Sequence, residues 1–390
     1  MKQNMISANQ FFILILFTMC GTNMITMPFS LTNQANQDGW WIPLIGMIAG
    51  LPLVLLIITI ARWFPNASLI TMLQCLFGHW PGKLAGVLFL FLPILIAPSH
   101  MDFFGSFINT NILPSTPFVV VITLFAAVVI LAVYQGIETF SRAAELMLVF
   151  FLGALCFFTI FLLPEADLGF IEPFFEQAPS QYIKAVLFFI AKVIGSHAIL
   201  FLIIFPRAVQ DKKRGEQAFI KGYIVACLIL FIATFFSVTV LTPEVTTITL
   251  FPGFALSQEI NIGDMIERLE SLLYIIFYVT FFFKMTIYLY AISITVAEII
   301  KAKDYRPLVI PIGMILVALA NTENQNIIEE YDFYYYGSMI LIVVIGVLLP
   351  LCMFVVGLVQ RIWKKQPIFP RHTSSRASGY SEKNHRSSAR

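Results

Sequence analysis

An apolar run from Phe11 to Leu31 constrains this chain more than any other stretch. It is long enough to cross a bilayer, which takes roughly 20 apolar residues. Its centre, Met19-Cys20-Gly21-Thr22-Asn23-Met24, is the poorest part of it for a helix. Gly21 loosens the backbone, while Thr22 and Asn23 carry side chains that compete with the helical ladder or cap a new helix start. Backbone freed at membrane depth has to be buried in protein or line a wet cavity, because lipid supplies no hydrogen-bond partners. A first helix broken there predicts a binding site near the midplane.

Composition sets the class. The 390 residues are 59% hydrophobic and only 12% charged, with 39 phenylalanines, which is too apolar for a soluble globular protein and fits a polytopic membrane protein. The formal charge of +2 says little, because the signs are sorted by position. Nothing suggests a nucleic-acid partner. Cys20, Cys75, Cys156, Cys227 and Cys352 are scattered over apolar segments without a CxxC pair, so neither a disulfide framework nor a zinc site is expected. No P-loop, HExxH or GxSxG motif is present and the carboxylates have no spacing specific to an active site, so no enzyme, metal or cofactor is expected. No small-residue cleavage site follows a short apolar core at the amino terminus, and the first helix reads as retained.

Ten spanning segments are predicted at about 8–32, 40–62, 83–111, 117–135, 140–163, 182–206, 217–241, 266–299, 306–321 and 336–363. The loops support this count. With a cytoplasmic amino terminus, the inner connections hold Arg62, Lys83, Arg142, Arg207, Lys212, Lys213, Arg214, Lys221, Lys301, Lys303 and Arg306. The outer ones hold Asp38, Glu165, Asp167, Glu172, Glu176, Glu244, Glu259, Asp264, Glu323, Glu329, Glu330 and Asp332, with no lysine or arginine. Between segments 2 and 3, Leu69, Ile70, Leu73, Leu76 and Phe77 predict a short amphipathic helix on the inner face, stopped by Gly78. Residues 1–365 thus read as one membrane domain, and the Ser- and Arg-rich residues 366–390 as a disordered cytoplasmic tail.

Segment 6 repeats what segment 1 does, because Gly195-Ser196-His197 lies near mid-membrane when counted from Tyr182. Two interrupted helices, five segments apart, imply inverted repeats of about 8–163 and 182–363 with a site between them. The start of the outer half of helix 1 suits a carboxylate, and the carbonyls ending the outer half of helix 6 suit an ammonium or a cation, so a small zwitterion fits both. The alternative is that Gly21 and Gly195 only relieve helix crowding. Gly46-xxx-Gly50 and Gly82-xxx-Gly86 read as close helix packing.

Intramembrane charges add a second set of candidates, since they are costly in lipid and mark pathways or paired sites. Lys284 lies near the centre of segment 8, with Phe277, Phe281 and Tyr288 on its face. It is either one half of a structural salt bridge, with Asp102 and Glu145 as partners to test, or a fixed positive charge acting on helix 1. The candidate ligand-binding set is Gly21, Thr22, Asn23, Pro98, Asp102, Gly195, Ser196, His197, Tyr278, Phe281 and Lys284. Arg268 with Glu267 and Glu270 reads as an interfacial ion-pair cluster, His79 as surface, and His100 as a residue that packing alone would also explain.

The stretch Gly263-Asp264-Met265-Ile266-Glu267-Arg268-Leu269-Glu270, running on to Phe281 and Lys284, resembles the eighth-helix signature of the spore germinant-receptor B subunits, the GerAB family of spore permeases. Gly39-Trp40-Trp41, Phe64-Pro65-Asn66-Ala67-Ser68-Leu69 with Gly78, and Phe205-Pro206-Arg207 before a basic loop sit where that family has them, and the resemblance covers roughly residues 5–362. It implies the amino acid–polyamine–organocation superfamily and a LeuT-like all-α fold of ten transmembrane helices, with the Lys284 ammonium standing where related folds hold a coupling sodium ion. It further implies the inner membrane of a bacterial spore, an A subunit and a lipoprotein C subunit as partners, and detection of a small nutrient germinant. The tail beyond Lys365 is longer than the family pattern. An amino acid transporter driven by protons or sodium is the alternative function, followed by a structural or pore-forming subunit.

Overall fold

The computed structural model describes residues 5–249, 251–259, 270–323 and 337–364. The Gly263 to Leu269 signature with Arg268, the outer carboxylates Glu329, Glu330 and Asp332, and the tail 366–390 lie outside the described residues. Within them the protein is all helix, with one isolated parallel bridge between Ile6 and Val209.

The first expected segment becomes two helices, α1 (Ala8–Cys20) and α2 (Asn23–Ala35). A capping box starts α1: Gln10 N donates to Ser7 Oγ at 3.1 Å, and Ser7 N donates to Gln10 Oε1 at 2.9 Å. A 3-10 turn, Asn36–Trp41, then leads into α3 (Ile42–Trp63). The short inner helix is α4 (Leu69–Phe77), capped by Ser68 Oγ on Thr71 N and closed by Gly78 at φ 95°. The chain continues through α5 (His79–Asn111), α6 (Phe118–Gln135) and α7 (Ile137–Leu162). Segment 6 is α8 (Pro179–Ile190), a π-turn (Ala191–Gly195) and α9 (Ser196–Ala208). After α10 (Lys212–Leu241) come two short helices, α11 (Pro243–Ile248) and α12 (Pro252–Glu259). Two long helices follow, α13 (Glu270–Ile299) and α14 (Arg306–Glu323). The final helix runs as Ser338–Leu341, a second π-turn at Ile342–Leu348, and Leu349–Lys364.

Each of the ten expected segments overlaps a helix among the described residues. By length and apolarity, eight stretches among the described residues can cross a membrane, with α2 to α3 forming one of them; Ala8–Cys20 and Arg306–Thr322 are apolar but shorter. The interior is built on α1, the Ala191–Gly195 turn, α9 and α13, almost every side chain of which is buried in its central turns, while α6 and α7 turn exposed Leu, Val and Phe side chains outward. An outward-facing apolar surface is what a bilayer requires, since lipid offers no polar partner.

Candidate functional site

The break in helix 1 is local and tightly held. Gly21 N closes α1 on Phe17 O at 2.9 Å, and Gly21 itself takes φ 16° and ψ −124°, which turns the chain out of the helix. Asn23 Nδ2 donates across the gap to Met19 O at 2.8 Å, and Thr26 Oγ1 donates to Thr22 O at 3.1 Å. The Met19 carbonyl at the break is thus answered by a side chain of the same stretch of sequence. No side chain caps α2; Ile25 N donates to Thr22 O at 3.1 Å, which leaves the N–H groups of Asn23 and Met24 without an acceptor in the helix itself.

Lys284 on α13 reaches directly to this break. Its Nζ donates to Thr22 Oγ1 at 2.6 Å, and the residue is 1% exposed. A Cβ on Gly21 would lie 2.5 Å from Lys284 Cδ, so the absence of a side chain at 21 makes room for the lysine stem. Of the two carboxylates expected as partners, Glu145 instead accepts from Gln10 Nε2 at 3.1 Å. Lys284 forms no ion pair with Asp102 or any other acid among the described residues.

Helix 6 departs from expectation in kind. Its interruption is a π-turn, in which Ser196 N reaches back to Ala191 O, and the helix stays continuous. Ser196 Oγ donates to Lys192 O at 2.6 Å, and His197 Nδ1 lies 2.8 Å from Val193 O. These carbonyls are engaged, so the row of free acceptors expected for an ammonium is not there. Gly195 serves a different contact from the one expected. Its carbonyl O would be 2.1 Å from a Cβ on Gly346 of the final helix, and its own Cβ would meet Ile342 and Val347. It packs one π-turn against the other. Lys192, also buried, donates to Ser338 Oγ at 2.8 Å in the same interface.

Around Lys284 stands a polar core that the sequence marks only by spacing. Tyr288, one turn along α13, lies between His100 of α5 and His197 of α9, edge to face with ring centroids at 5.7 and 5.9 Å. Asp102 and Pro98 are buried on α5. Phe281 is buried in an aromatic stack with Phe104 at 4.9 Å and Phe125 at 5.3 Å, beside α6 rather than at the break. Tyr278, expected at the site, is 42% exposed and packs on Phe104 and Phe125 at the rim of that stack. The structure thus gathers Gly21, Thr22, Asn23 and Lys284 at the break, sets Tyr288 between His100 and His197, and places Tyr278 and Phe281 in the aromatic stack and Gly195 against the final helix.

A cavity of about 50 Å³ opens on the other side of Gly21. Met24 and Ile25 of α2, Phe158 and Thr159 of α7, Phe236 of α10, Leu256 of α12, and Phe277 and Thr280 of α13 line it. Apart from Gly21, none of the expected site residues does. The short helix α12 lies over it, with Gly253 packed on Met24 and Ile25. Phe277 and Thr280 lie two turns and one turn from Lys284, so helical phase alone carried the signal for them.

A bundle of this order, with a first helix broken at mid-depth and a buried cation facing the break, defines a polytopic membrane protein of the LeuT-like transporter fold. Among solved structures it is similar to Mhp1, a nucleobase-cation-symport-1 family transporter in a closed conformation with bromovinylhydantoin bound, at a TM-score of 0.67 and 12% identity over 95% of both chains. It is also similar to MhsT in complex with L-phenylalanine, at 0.62 and 15%, over 92% of this chain and 99% of that one. Residues 5–328 match the spore permease family, described as spore germination protein, and the chain belongs to that family. Spore germination protein KB of Bacillus subtilis (strain 168) is 27% identical over 94% of this chain and 97% of its own length, and YndE of the same organism is 22% identical over 87% and 96%. The family is one of transporter-like membrane proteins, not of enzymes.

Proposed function

We propose that this protein is the B subunit of a nutrient-germinant receptor, binding a small germinant, an amino acid, at the helix 1 break and passing the signal to an A subunit and a lipoprotein C subunit. The observation that carries this reading is the contact of Lys284 with Gly21 and Thr22, beside the cavity that opens on Gly21. A ligand arriving at the break meets helix N–H groups, a buried cation and a small apolar space within a few residues. Displacing Lys284 from Thr22 would free helix 1 to move against α13, which is a route from occupancy to a change of shape. The proposal includes residence in the spore inner membrane with both termini on the core side, supported by the sorting of basic and acidic loops. It also includes one membrane domain over 1–365 and a separate tail over 366–390.

An amino acid transporter coupled to a cation is the second reading, favoured by the likeness in fold to the transporter Mhp1 with bromovinylhydantoin bound and to MhsT in complex with L-phenylalanine. Coexpression with candidate A and C subunits, followed by germinant-response and uptake assays on the same membranes, separates the two. Response without uptake supports the receptor, and uptake without partners supports the transporter.

A further inference from the structure

The cavity at the helix 1 break has a buried wall and a mouth. Gly21, Ile25, Phe158, Phe236 and Thr280 belong to the wall. The lining residues that keep some exposure are Leu155 and Thr159 of α7, Ile232 and Ala233 of α10, and Met24 of α2. The way in therefore runs between α7 and α10, with Met24 behind it.

That mouth lies at membrane depth. The ends of α7 and α10 are tied together, Asp167 N donating to Thr239 O at 2.8 Å, so both helices can be measured from one level. At about 1.5 Å per residue, Leu155 sits about 10 Å below the Leu162 end of α7 and Ile232 about 14 Å below the Leu241 end of α10. One leaflet of hydrocarbon is about 15 Å deep, which puts the mouth inside it. Around the rim, Leu152, Cys156, Ile160 and Leu228 are exposed, an apolar surface of the kind that faces lipid. On the side of the acid-rich loops α12 closes the cavity with buried Gly253 and Leu256, so the opening faces hydrocarbon rather than water.

The chemistry of the wall suits the same neighbour. No lining side chain is charged, and both hydroxyls give their hydrogen to their own helix, Thr159 Oγ1 to Leu155 O at 2.8 Å and Thr280 Oγ1 to Ile276 O at 2.9 Å. At about 50 Å³ the space has room for several water-sized groups, yet an apolar cavity does not hold water. Left unfilled it forfeits dispersion contacts over its whole lining, and a run of methylenes from the adjoining leaflet restores them.

We propose that the cavity holds the end of a phospholipid acyl chain, which enters between α7 and α10 from the leaflet beside the acid-rich loops and packs on Gly21 and Met24. The headgroup stays at the membrane surface and only methylenes enter. Lipid and the Lys284 stem then meet at the same glycine, so the position of helix 1 depends on the chain that fills the cavity. The site stands whatever germinant the protein takes.

The test is photolabelling of the full-length protein in nanodiscs of phosphatidylglycerol with a diazirine near the methyl end of one acyl chain, the adducts being located by mass spectrometry. Leu152 and Ile160 report the surrounding bilayer, and Met24 and Ile25 report the cavity. The native protein should carry adducts at both pairs. Ala233→Trp fills the mouth and should lose the adducts at Met24 and Ile25 while keeping those at Leu152 and Ile160. Thr159→Phe fills it from α7 and serves in its place if Ala233→Trp does not accumulate. Native protein labelled at Leu152 and Ile160 alone overturns the proposal and leaves the cavity to a side chain of a ligand held at the break. Adducts at Met24 that survive in the filled variant overturn it too, because the chain end would then reach helix 1 by another path.

Discussion

At the scale of single residues, the contact of Lys284 with Thr22 and Gly21 joins the sequence feature to the proposed activity. A buried ammonium left without its hydroxyl acceptor loses about 1–3 kcal/mol, so Thr22→Val should lower thermal stability in detergent while Thr22→Ser retains it. Once the charge is gone the hydroxyl has nothing to satisfy. In a Lys284→Met background, Thr22→Val should therefore cost much less, and equal costs in both backgrounds would mean that the two do not interact. At residue 21 a methyl group would collide with Lys284 Cδ, so Gly21→Ala should push the lysine off Thr22 and weaken the germinant response. Shortening the lysine should mask that effect. A Gly21→Ala, Lys284→Ala double variant that responds no worse than Lys284→Ala alone is the expected result.

At the scale of elements, the two π-turns form a joint: Ala191–Gly195 lies on Ile342–Leu348, with Gly195 O against Gly346. Gly346→Ala would drive a Cβ into that carbonyl, and overpacking of this kind costs about 1–3 kcal/mol, so its thermal stability should fall while Gly153→Ala, whose Cβ meets nothing within 4 Å, leaves stability unchanged. The helix 1 break was legible because Gly21, Thr22 and Asn23 each disfavour a helix for a local reason, and a competing hydrogen bond is written in residue type. The π-turn was not. One extra residue in a helical turn leaves no mark in composition, and Gly195 reads the same whether it lines a pocket or admits a neighbouring helix. Tyr278 and Tyr288 show the same limit from the other side. Tyr288 is four residues from Lys284 and shares its face; Tyr278 is six away, which at 3.6 residues per turn puts it on another face. Phase information was present there, whereas the identity of the partner helix was not. Tyr278→Ala should consequently leave the germinant response unchanged, and a lost response at normal protein level would bring the rim of the aromatic stack into the site.

At the scale of the whole molecule, the two ends of the bundle are held by different chemistry. One end carries a short backbone ladder, Ile6 N to Ala208 O at 2.7 Å and Gln210 N to Ile6 O at 3.1 Å. Ion pairs join it, Arg62 with Glu216 at 2.6 Å and Arg207 with Glu298, linking helix 6 to the end of α13. The other end has a buried carboxylate instead: Asp38 accepts from Tyr182 Oη at 2.6 Å and Phe175 N at 2.8 Å, fastening the loop before α8 to the turn after α2. Basic groups gather at the first end and acidic ones at the second, the asymmetry that orients membrane proteins with the basic end inside. If that orientation holds, a cysteine placed at Glu172 should react with an impermeant thiol reagent added outside intact cells, and one at Lys213 should react only after the membrane is opened. The exposed native Cys75, Cys156 and Cys352 must first be replaced. Reversed labelling would put the Arg207 to Glu298 pair on the outside, and with it the face from which a ligand would have to reach the helix 1 break.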